Sequence, residues 1–549
     1  MPATHVVTNQ VPPLENYNPA SSPALIEALI REGGQWGVDE VTELGAISGS
    51  KAAQRWGELA DRNRPILHTH DTTGHRIDEV EYDPAYHELM RTAIEHGLHA
   101  APWADPRAGS HVVRAAKTSV WTCEPGHMCP ISMTYAVIPA LRYNDELAKT
   151  FEPLLTSSVY DPELKVPTTK AGITAGMSMT EKQGGSDVRA GTTQAVPNSD
   201  GSYTLTGHKW FTSAPMCDVF LVLAQAPGGL SCFFLPRVLP DGTRNRMLLQ
   251  RLKDKLGNHA NASSEIEYDG ATAWLVGEEG RGVSVIIEMV NLTRLDCALG
   301  SATSMRAGLT RAVYHSQYRK AFGAYLIDQP LMRNVLADLA VEAEAATMVT
   351  MRMAGATDRV IHGDENADRE ALLRRLGLAA TKYWVCKRAA PHAAEAMECL
   401  GGNGYIEDSG MPRLYREAPL MGIWEGSGNV SALDTLRAAA TSPDSVTVLF
   451  DELNQTAGQD RRLDAHVAAL KAEMADLTGD LDGAQYRARK IAEDICLALQ
   501  GSLLVRHGHP AVAEAFLATR LGGSWGGAFG TLPTGLDLAP ILERALVKG

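Results

Sequence analysis

The sequence lacks a long uninterrupted apolar run, which argues against a membrane span. Its best candidate, residues 219–236, carries no charge but is interrupted by Ala226-Pro227-Gly228-Gly229. Two short apolar runs around such a turn predict a β-hairpin instead. The N-terminal residues also lack a basic start followed by an apolar core, so no secretory signal is visible. We therefore expect a cytoplasmic protein without a membrane segment.

Cysteine and positive charge are also limited. The eight cysteines are scattered, which fits reduced thiols in the cytoplasm. Cys123, His127 and Cys129 do not have a standard zinc spacing and no second ligand pair follows, so we expect buried thiols and no metal site. Lys and Arg number 51 against 65 Asp and Glu, a net charge of −14. Nucleic-acid binding would therefore need a local basic patch.

With 549 residues, the chain is too long for one ordinary core. Helical periodicity dominates to about residue 167, and alternating strand patterns with Gly, Asn and Asp turns follow to about residue 280. Long segments with few helix breakers then predict a helical bundle, and amphipathic helices continue after residue 440. One such helix face carries Leu463, Val467, Leu470, Met474 and Leu477. The domain boundaries predicted are 1–167, 168–280, 281–440 and 441–549.

Five short segments contain residues that are suited to binding or catalysis. The first, 177–187 (MSMTEKQGGSD), has small and hydroxylated residues that let the backbone approach a polar ligand. The others are 208–213 (HKWFTS), 318–323 (YRKAFG), 398–405 (ECLGGNGY) and 423–429 (IWEGSGN). Each alone is also compatible with an ordinary turn or packed strand. In the last segment, Glu425 between a Trp and a Gly would be partly desolvated, which favours a general base.

Together and in this order, the five segments resemble the acyl-CoA dehydrogenase family, over roughly residues 40 to 440, and its AidB-like branch in particular. The resemblance implies an α+β multi-domain fold: an N-terminal helical domain, a middle β-barrel domain and a C-terminal four-helix bundle, here with an additional C-terminal helical domain. It implies FAD as the cofactor, although the chain has no dinucleotide-binding fingerprint; the glycines of 277–282 lack the preceding strand–helix pattern.

The resemblance also implies a set of site residues. FAD would be contacted by Met177, Met179, Thr180, Gly185, Ser186, Trp210, Thr212, Ser427 and Asn429. A neighbouring subunit of a homotetramer would complete the site through Arg319, Phe322, Leu326, Gln329, Glu398 and Gly402. Ser186 and Arg294 would bind the substrate, an acyl thioester or a related small molecule. The electron acceptor is not indicated.

The resemblance gives Glu425 the role of catalytic base. It would remove the α-proton of the thioester while the β-hydrogen leaves as hydride to the flavin. Many members of the family have an Asp three residues before the Arg that grips the CoA arm, whereas this chain has Asn291 before Arg294. That replacement and the pair Lys182-Gln183 fit the AidB-like branch.

A second class of function remains open: a DNA-associated protective flavoprotein of the alkylation response, with weak or no dehydrogenase activity. In AidB-like proteins a C-terminal helical domain is associated with duplex DNA. The candidate contacts here are Arg437, Arg487, Arg489, Lys490, Arg506 and Arg520. However, residues 441–549 hold ten Lys and Arg against fourteen Asp and Glu, so a solvated helix surface or an oligomer contact is at least as well supported. A third, more distant reading is an interaction protein without flavin.

Overall fold

The computed structural model describes residues 4–475 and 481–547. The strands are β1 Ile66–His70, β2 Arg76–Glu81, β3 Ala175–Ser178, β4 Gln194–Pro197, β5 Tyr203–Ser213, β6 Val219–Ala226, β7 Gly229–Pro236, β8 Met247–Leu252, β9 Ser263–Val276, β10 Lys320–Ala321 and β11 Ala324–Tyr325. The helices are α1 Pro23–Arg31, α2 Val38–Ser48, α3 Lys51–Arg62, α4 Pro84–Glu95, α5 Ala101–Ala104, α6 Ser110–Val120, α7 Met128–Leu141, α8 Asp145–Leu155, α9 Gly282–Tyr318, α10 Pro330–His362, α11 Ala367–Glu398, α12 Met411–Glu417, α13 Gly428–Thr441, α14 Pro443–Asn454, α15 Arg461–Ala475, α16 Leu481–His507, α17 Pro510–Phe516 and α18 Ala539–Ala545.

The chain forms two compact units, each built from separate stretches of sequence. One comprises residues 52–106 and 123–293 and contains β1 to β9. The other comprises residues 1–51, 107–122 and 294–549 and contains most of the long helices. The N-terminal 167 residues are thus shared between the two units, while 281–440 and 441–549 largely share one. The predicted boundaries at residues 167, 280 and 440 remain predictions.

The β-containing unit is organised around a seven-stranded sheet that closes on itself. Its strands run β3-β6-β4-β5-β9-β7, an additional pairing of β7 with β6 closes the ring, and β8 pairs with β9. The antiparallel hairpin of β6 and β7 is the one predicted for residues 219–236, and Gly229 adopts a φ of 114° at its turn. The hairpin explains the apolar run, because both strands are almost wholly buried in the barrel.

In the helical unit, α11 is central. It packs on α10, α13, α14 and α16, while α10 also contacts α1 and α6. Ser301 of α9 donates a hydrogen bond to the sulfur of Cys386 on α11 (3.2 Å). The tail helices α15 and α16 pack against each other, and Leu463 and Leu470 of the predicted helix face are buried. Leu477 of that face lies outside the described residues. Within the described part of the chain, no helix is long and apolar enough to cross a membrane.

Candidate functional site

Glu425 lies in a strained segment just before α13. Its side chain is half-buried, and its φ of 56° is in the left-handed region. The next residue, Gly426, has a φ of 105°. A left-handed conformation costs a non-glycine residue about 1–2 kcal/mol, and such strain persists only where the surrounding structure enforces it. The position of Glu425 must therefore be fixed by specific contacts.

Two cations provide those contacts by binding three successive backbone carbonyls. The Lys382 ammonium donates hydrogen bonds to the carbonyls of Trp424 (2.9 Å) and Gly426. Between them, Nε of Arg294 donates to the carbonyl of Glu425 at 3.0 Å. We call Lys382 and Arg294 the carbonyl clamp. Hydrogen bonds to charged donors contribute about 1.5–3 kcal/mol each, enough to hold the strained backbone.

The clamp is itself held by acidic and helical partners. Arg294 projects from α9 with its side chain 12% exposed, and its Nη1 donates to Asp434 at 2.9 Å. Asp434 also accepts two hydrogen bonds from Arg375. Lys382 comes from the buried centre of α11. We predicted that Arg294 binds substrate, and this stays a prediction; in the structure its Nε and Nη1 fix the Glu425 backbone and Asp434.

The thiols near this segment are buried and protonated. Burial raises the pKa of Cys297 well above its usual range, although the Lys382 charge opposes this. Burial also raises the pKa of Cys386. Thiolates are the reactive form of cysteine, so these two side chains act as packing groups beside Glu425. Glu425 therefore stays the candidate base of this segment.

Ser427 and Asn429 begin the first turn of α13. Ser427 is at the N-cap position but makes no side-chain cap hydrogen bond. Backbone N–H groups at such a helix start favour an anionic group, so the segment fits a phosphate of FAD. Asn429 is exposed, and its Oδ1 accepts a hydrogen bond from Nε of Arg489 at 2.9 Å.

In the β unit, the loop 179–187 is fixed to β5 by a buried ion pair that sequence reasoning missed. Nζ of Lys209 lies 2.8 Å from Oε1 of Glu181, and both side chains are almost fully buried. Glu181 also accepts hydrogen bonds from Thr192 and Thr193. Burial alone would raise the pKa of Glu181, but these bonds and the Lys209 charge hold it well below its ordinary value. Glu181 and Lys209 lie in two of the five segments considered above, 177–187 and 208–213. Their spacing in the sequence did not indicate that they form an ion pair.

The predicted FAD contacts of this unit lie on that loop and on β3 and β5. Met177, Met179, Thr180 and Trp210 are half-buried, and Gly185 and Ser186 are exposed. Thr212 differs, because it is fully buried with its hydroxyl 2.5 Å from that of Ser178. The Thr212 side chain is therefore closed to a ligand in this conformation. The other predicted FAD contacts of this unit are partly or fully exposed. Their small side chains and the Trp210 indole are suited to binding a flat cofactor.

Trp210 is surrounded by positive charge. Nζ of Lys253 lies 3.2 Å from the indole ring centroid, and Lys182 and Arg251 lie within 6 Å of it. Cation–π contacts of this kind contribute about 0.5–1 kcal/mol at exposed sites. They orient the indole on the loop side of β5 and give that surface a charge suited to phosphate groups.

The residues expected to reach a neighbouring subunit lie on the surface of the helical unit. The short hairpin β10–β11 presents Phe322 fully exposed at its tip, with a φ of 53°. Gln329 donates from Nε2 to the carbonyl of Ala321 (3.1 Å), which ties the following segment to the hairpin. Arg319 and Leu326 are partly exposed, and Glu398 and Gly402 are exposed at the end of α11 and just beyond it.

The six candidate DNA contacts do not share one environment. Arg520 is the clearest departure from the prediction: its side chain is 1% exposed and pairs with Asp338 and Glu342, so it cannot reach a phosphate. Arg506 is also largely buried, donating to Glu452 at 3.0 Å. The other four, Arg437, Arg487, Arg489 and Lys490, keep exposed or part-exposed side chains. Arg437, Arg487 and Lys490 pair with acidic residues, and Arg489 donates to Asn429.

The cysteine–histidine cluster considered above is buried in the β unit. Cys123 and His127 are inaccessible, and Nδ1 of His127 lies 3.2 Å from a carboxylate oxygen of Glu124. Across the residues that the structure describes, no group of three His, Cys, Asp or Glu side chains is arranged to hold a metal ion.

The chain thus combines a closed β unit, in which cations surround Trp210, with a unit of long helices that holds a strained glutamate, and both are features of a flavin-type oxidoreductase. Sequence profiles match it in three parts: the adaptive response protein AidB N-terminal domain at residues 9–162, the acyl-CoA dehydrogenase middle domain at 176–271, and the acyl-CoA dehydrogenase C-terminal domain at 280–440. The chain belongs to the acyl-CoA dehydrogenase family, whose members depend on FAD.

Individual relatives agree with this assignment. The putative acyl-CoA dehydrogenase AidB of Escherichia coli is 44% identical over 526 residues, covering 94% of each chain. Acyl-CoA dehydrogenase family member 11 of Caenorhabditis elegans is 32% identical over 82% of this chain and 77% of that protein. The crystal structure of C. elegans ACDH-11 in complex with C11-CoA superposes with a TM-score of 0.84, 28% identity and coverage of 94% of this chain and 93% of that one.

Proposed function

We propose that this protein is an FAD-dependent oxidoreductase of the AidB type, in which Glu425 removes the α-proton of an acyl thioester. FAD, when bound, accepts the β-hydrogen as hydride. The carbonyl clamp is the observation that carries the proposal. A strained carboxylate-bearing residue held by two buried cations is the kind of preorganised group that proton abstraction requires.

The carbonyl clamp explains how the Glu425 side chain could be held in a fixed orientation for proton abstraction. Because Lys382 and Arg294 bind the backbone carbonyls of Trp424, Glu425 and Gly426, these hydrogen bonds set where the Glu425 side chain begins. Proton removal by a positioned side chain contributes about 10²–10⁴-fold to a rate, with its direction set by geometry.

The thioester is the substrate class that the relatives favour. The C. elegans structure holds C11-CoA, and the relatives are acyl-CoA dehydrogenases by name. For this chain we propose the same class, with the chain length of the acyl group to be found by experiment. Asn291 in place of the usual Asp changes the charge on the helix that would carry the CoA arm.

We further propose that FAD is held by the loop 179–187, the segment at Ser427–Asn429 and a neighbouring subunit. The fully exposed Phe322 supports the subunit contact, since a lone aromatic at a hairpin tip gains the most from burial against a second chain. Tyr405 and Ile406, just past Gly402, are also exposed. Two such apolar sites on the same unit are consistent with the expected homotetramer.

The decisive experiment is anaerobic bleaching of the bound flavin by straight and branched acyl-CoAs, with C11-CoA included. The wild-type flavin should bleach with at least one thioester, and Glu425→Gln should keep its FAD spectrum but lose bleaching. Glu407→Gln is the matched control, because Glu407 forms an exposed ion pair with Arg416 and should bleach normally. Bleaching by Glu425→Gln at the wild-type rate would contradict the assignment of the base.

The alternative, a DNA-associated protective flavoprotein, rests on exposed cations near Glu425 and in the tail. Arg437 lies on α13, and Arg489 and Lys490 lie on α16, where Arg489 contacts Asn429. Duplex binding that weakens steeply with salt and is lost in an Arg437→Gln, Arg489→Gln, Lys490→Gln triple variant would favour this function. Arg62→Gln, in an exposed ion pair of α3, is the control.

A further inference from the structure

A recess of about 270 Å³ in the helical unit is lined by an unusual number of arginines. The five are Arg31, Arg352, Arg359, Arg369 and Arg506. They come from α1, α10, α11 and α16, and α14 contributes Glu452 and the adjoining Gln455. None of these residues belongs to the Glu425 segment or to the FAD-facing loop. The recess is far larger than the roughly 30 Å³ that one water occupies in the liquid.

Negative charge in the recess falls short of the positive charge. Three glutamates pair with the arginines. Glu370 makes a bidentate contact with Arg352 (2.7 and 2.9 Å), and Glu452 accepts from Arg352 and Arg506. Glu32 accepts from Arg31 and Arg359, at 2.9 Å each. Five guanidinium groups thus face three carboxylates, which leaves this cluster with two positive charges in excess.

A fourth acid, Asp358, interacts with Arg359, but burial raises the pKa of Asp358 and so opposes the charged form that would offset the excess. Asp358, next to Arg359 in α10, accepts hydrogen bonds from the backbone N–H groups of Gly109 and His111. Burial, reinforced by Arg31 and Arg506, lowers the pKa of His507, which also lines the recess. Unpaired buried charge is costly, and a bound anion would supply the missing partner.

Donor groups remain at the mouth of the recess. Within the described residues, Arg359 and Arg369 each make one side-chain hydrogen bond, to Glu32 and Glu452. A guanidinium carries five N–H donors, in a planar fork that matches oxyanions. The Arg369 side chain is 35% exposed and that of Arg359 is 24% exposed, whereas Arg352 is buried. The open end of the recess therefore presents donors to a ligand entering from solvent.

We propose that this recess is a binding site for a small multivalent oxyanion carrying phosphate groups, separate from the flavin and thioester sites. The excess of two positive charges favours a dianion such as phosphate or a pyrophosphate group over chloride. Because the arginines come from α1, α10, α11 and α16, a bound anion ties the N-terminal segment and the tail helix α16 to the centre of the helical unit. Duplex DNA is disfavoured, since a recess of this volume cannot admit a double helix.

The test is isothermal titration of the FAD-loaded protein with inorganic phosphate and pyrophosphate at constant ionic strength set with chloride. We expect saturable binding of at least one of them and a rise in melting temperature that grows with ligand concentration. Arg369→Gln should weaken binding roughly tenfold, because it removes one charged donor. Arg55→Gln, in an exposed ion pair of α3, should bind like wild type.

Glu452→Gln separates a ligand site from a purely structural ion network. Removing this carboxylate should lower the melting temperature without ligand but tighten anion binding, because the excess positive charge grows by one. If Glu452→Gln does not fold, the anion affinity of Arg369→Gln alone tests the proposal. Absence of saturable binding, affinity unchanged in Arg369→Gln, or stabilisation equal to that by chloride overturns the proposal. So does binding of duplex DNA but not of free phosphate or pyrophosphate.

Discussion

Nε of Arg294 donates a hydrogen bond to the backbone carbonyl of Glu425 at 3.0 Å. A side chain of α9 thus binds the main chain of the proposed base. Since Lys382 binds the carbonyls on either side, the two cations together determine the backbone conformation at the residue that would do the chemistry. Substitutions of the two cations therefore test the backbone geometry at Glu425, whereas substitutions of Glu425 test its carboxylate.

Arg294→Gln should slow flavin bleaching by acyl-CoA about tenfold to a hundredfold while FAD stays bound, because a charged hydrogen bond worth about 1.5–3 kcal/mol is lost. Arg375→Gln is the matched control: Arg375 shares Asp434 with Arg294, and both of its hydrogen bonds there go to the Asp434 carboxylate. Stopped-flow absorbance under anaerobic conditions measures the rate of flavin bleaching in both variants. Equal slowing in the two variants would locate the effect at Asp434 instead.

Glu425→Gly and Glu425→Ala should both abolish bleaching but differ in stability. Both remove the carboxylate, whereas only glycine relieves the positive φ of 56°. We expect Glu425→Gly to be more stable than Glu425→Ala by about 1 kcal/mol. Urea unfolding monitored by circular dichroism makes the comparison. Equal stability would mean that the clamp does not hold a strained backbone.

Phe322→Asp should disrupt self-association, since it places a charge where an exposed aromatic is proposed to be buried against a second chain. Loss of bound FAD should accompany the smaller species if the neighbour completes the cofactor site. Sedimentation velocity with absorbance at the flavin wavelength reports both. Tyr486→Asp is the control, because Tyr486 is similarly exposed on α16; a change confined to Tyr486→Asp would point to a different interface.

Glu342→Gln should flatten the acid dependence of stability. Burial opposes ionisation, but the charges of Arg388 and Arg520 hold the pKa of Glu342 at about 2, below its ordinary 4.5. A carboxyl with a lowered folded pKa stabilises the protein above its unfolded pKa and loses that contribution as pH falls. The loss should therefore appear between about pH 4.5 and 2 and amount to about 3 kcal/mol.

Melting temperatures across that pH range, measured from the loss of helical signal on unfolding, test this expectation. Wild type should lose stability more steeply than Glu342→Gln, which starts lower at neutral pH because Arg388 and Arg520 lose their anionic partner. Glu407→Gln again supplies the control, since its side chain is 61% exposed. Parallel curves for wild type and Glu342→Gln would refute the assignment to this residue.

The sequence was sufficient for the family and for the order of a helical, a β and a second helical region, but it did not predict the β1–β2 hairpin within residues 66–81. The Pro-Gly-Gly turn in the apolar run 219–236 predicted the β6–β7 hairpin correctly, because local turn chemistry alone decides it. The five motifs predicted the family, which the sequence comparisons confirm. The FAD and substrate residues were predicted only through that resemblance, and their roles stay predictions.

The sequence by itself therefore determined local features, namely the strand and helix patterns and the glycine turns. Through its motifs it also determined the family. Tertiary structure alone decided the partners of charged side chains. Arg520 looked like a surface cation in sequence but is buried against Asp338 and Glu342, 182 and 178 residues away. Arg294 and Lys382 reach Glu425's backbone from α9 and α11 for the same reason. Charge has no period along the chain, so its pairing depends on which helices pack together.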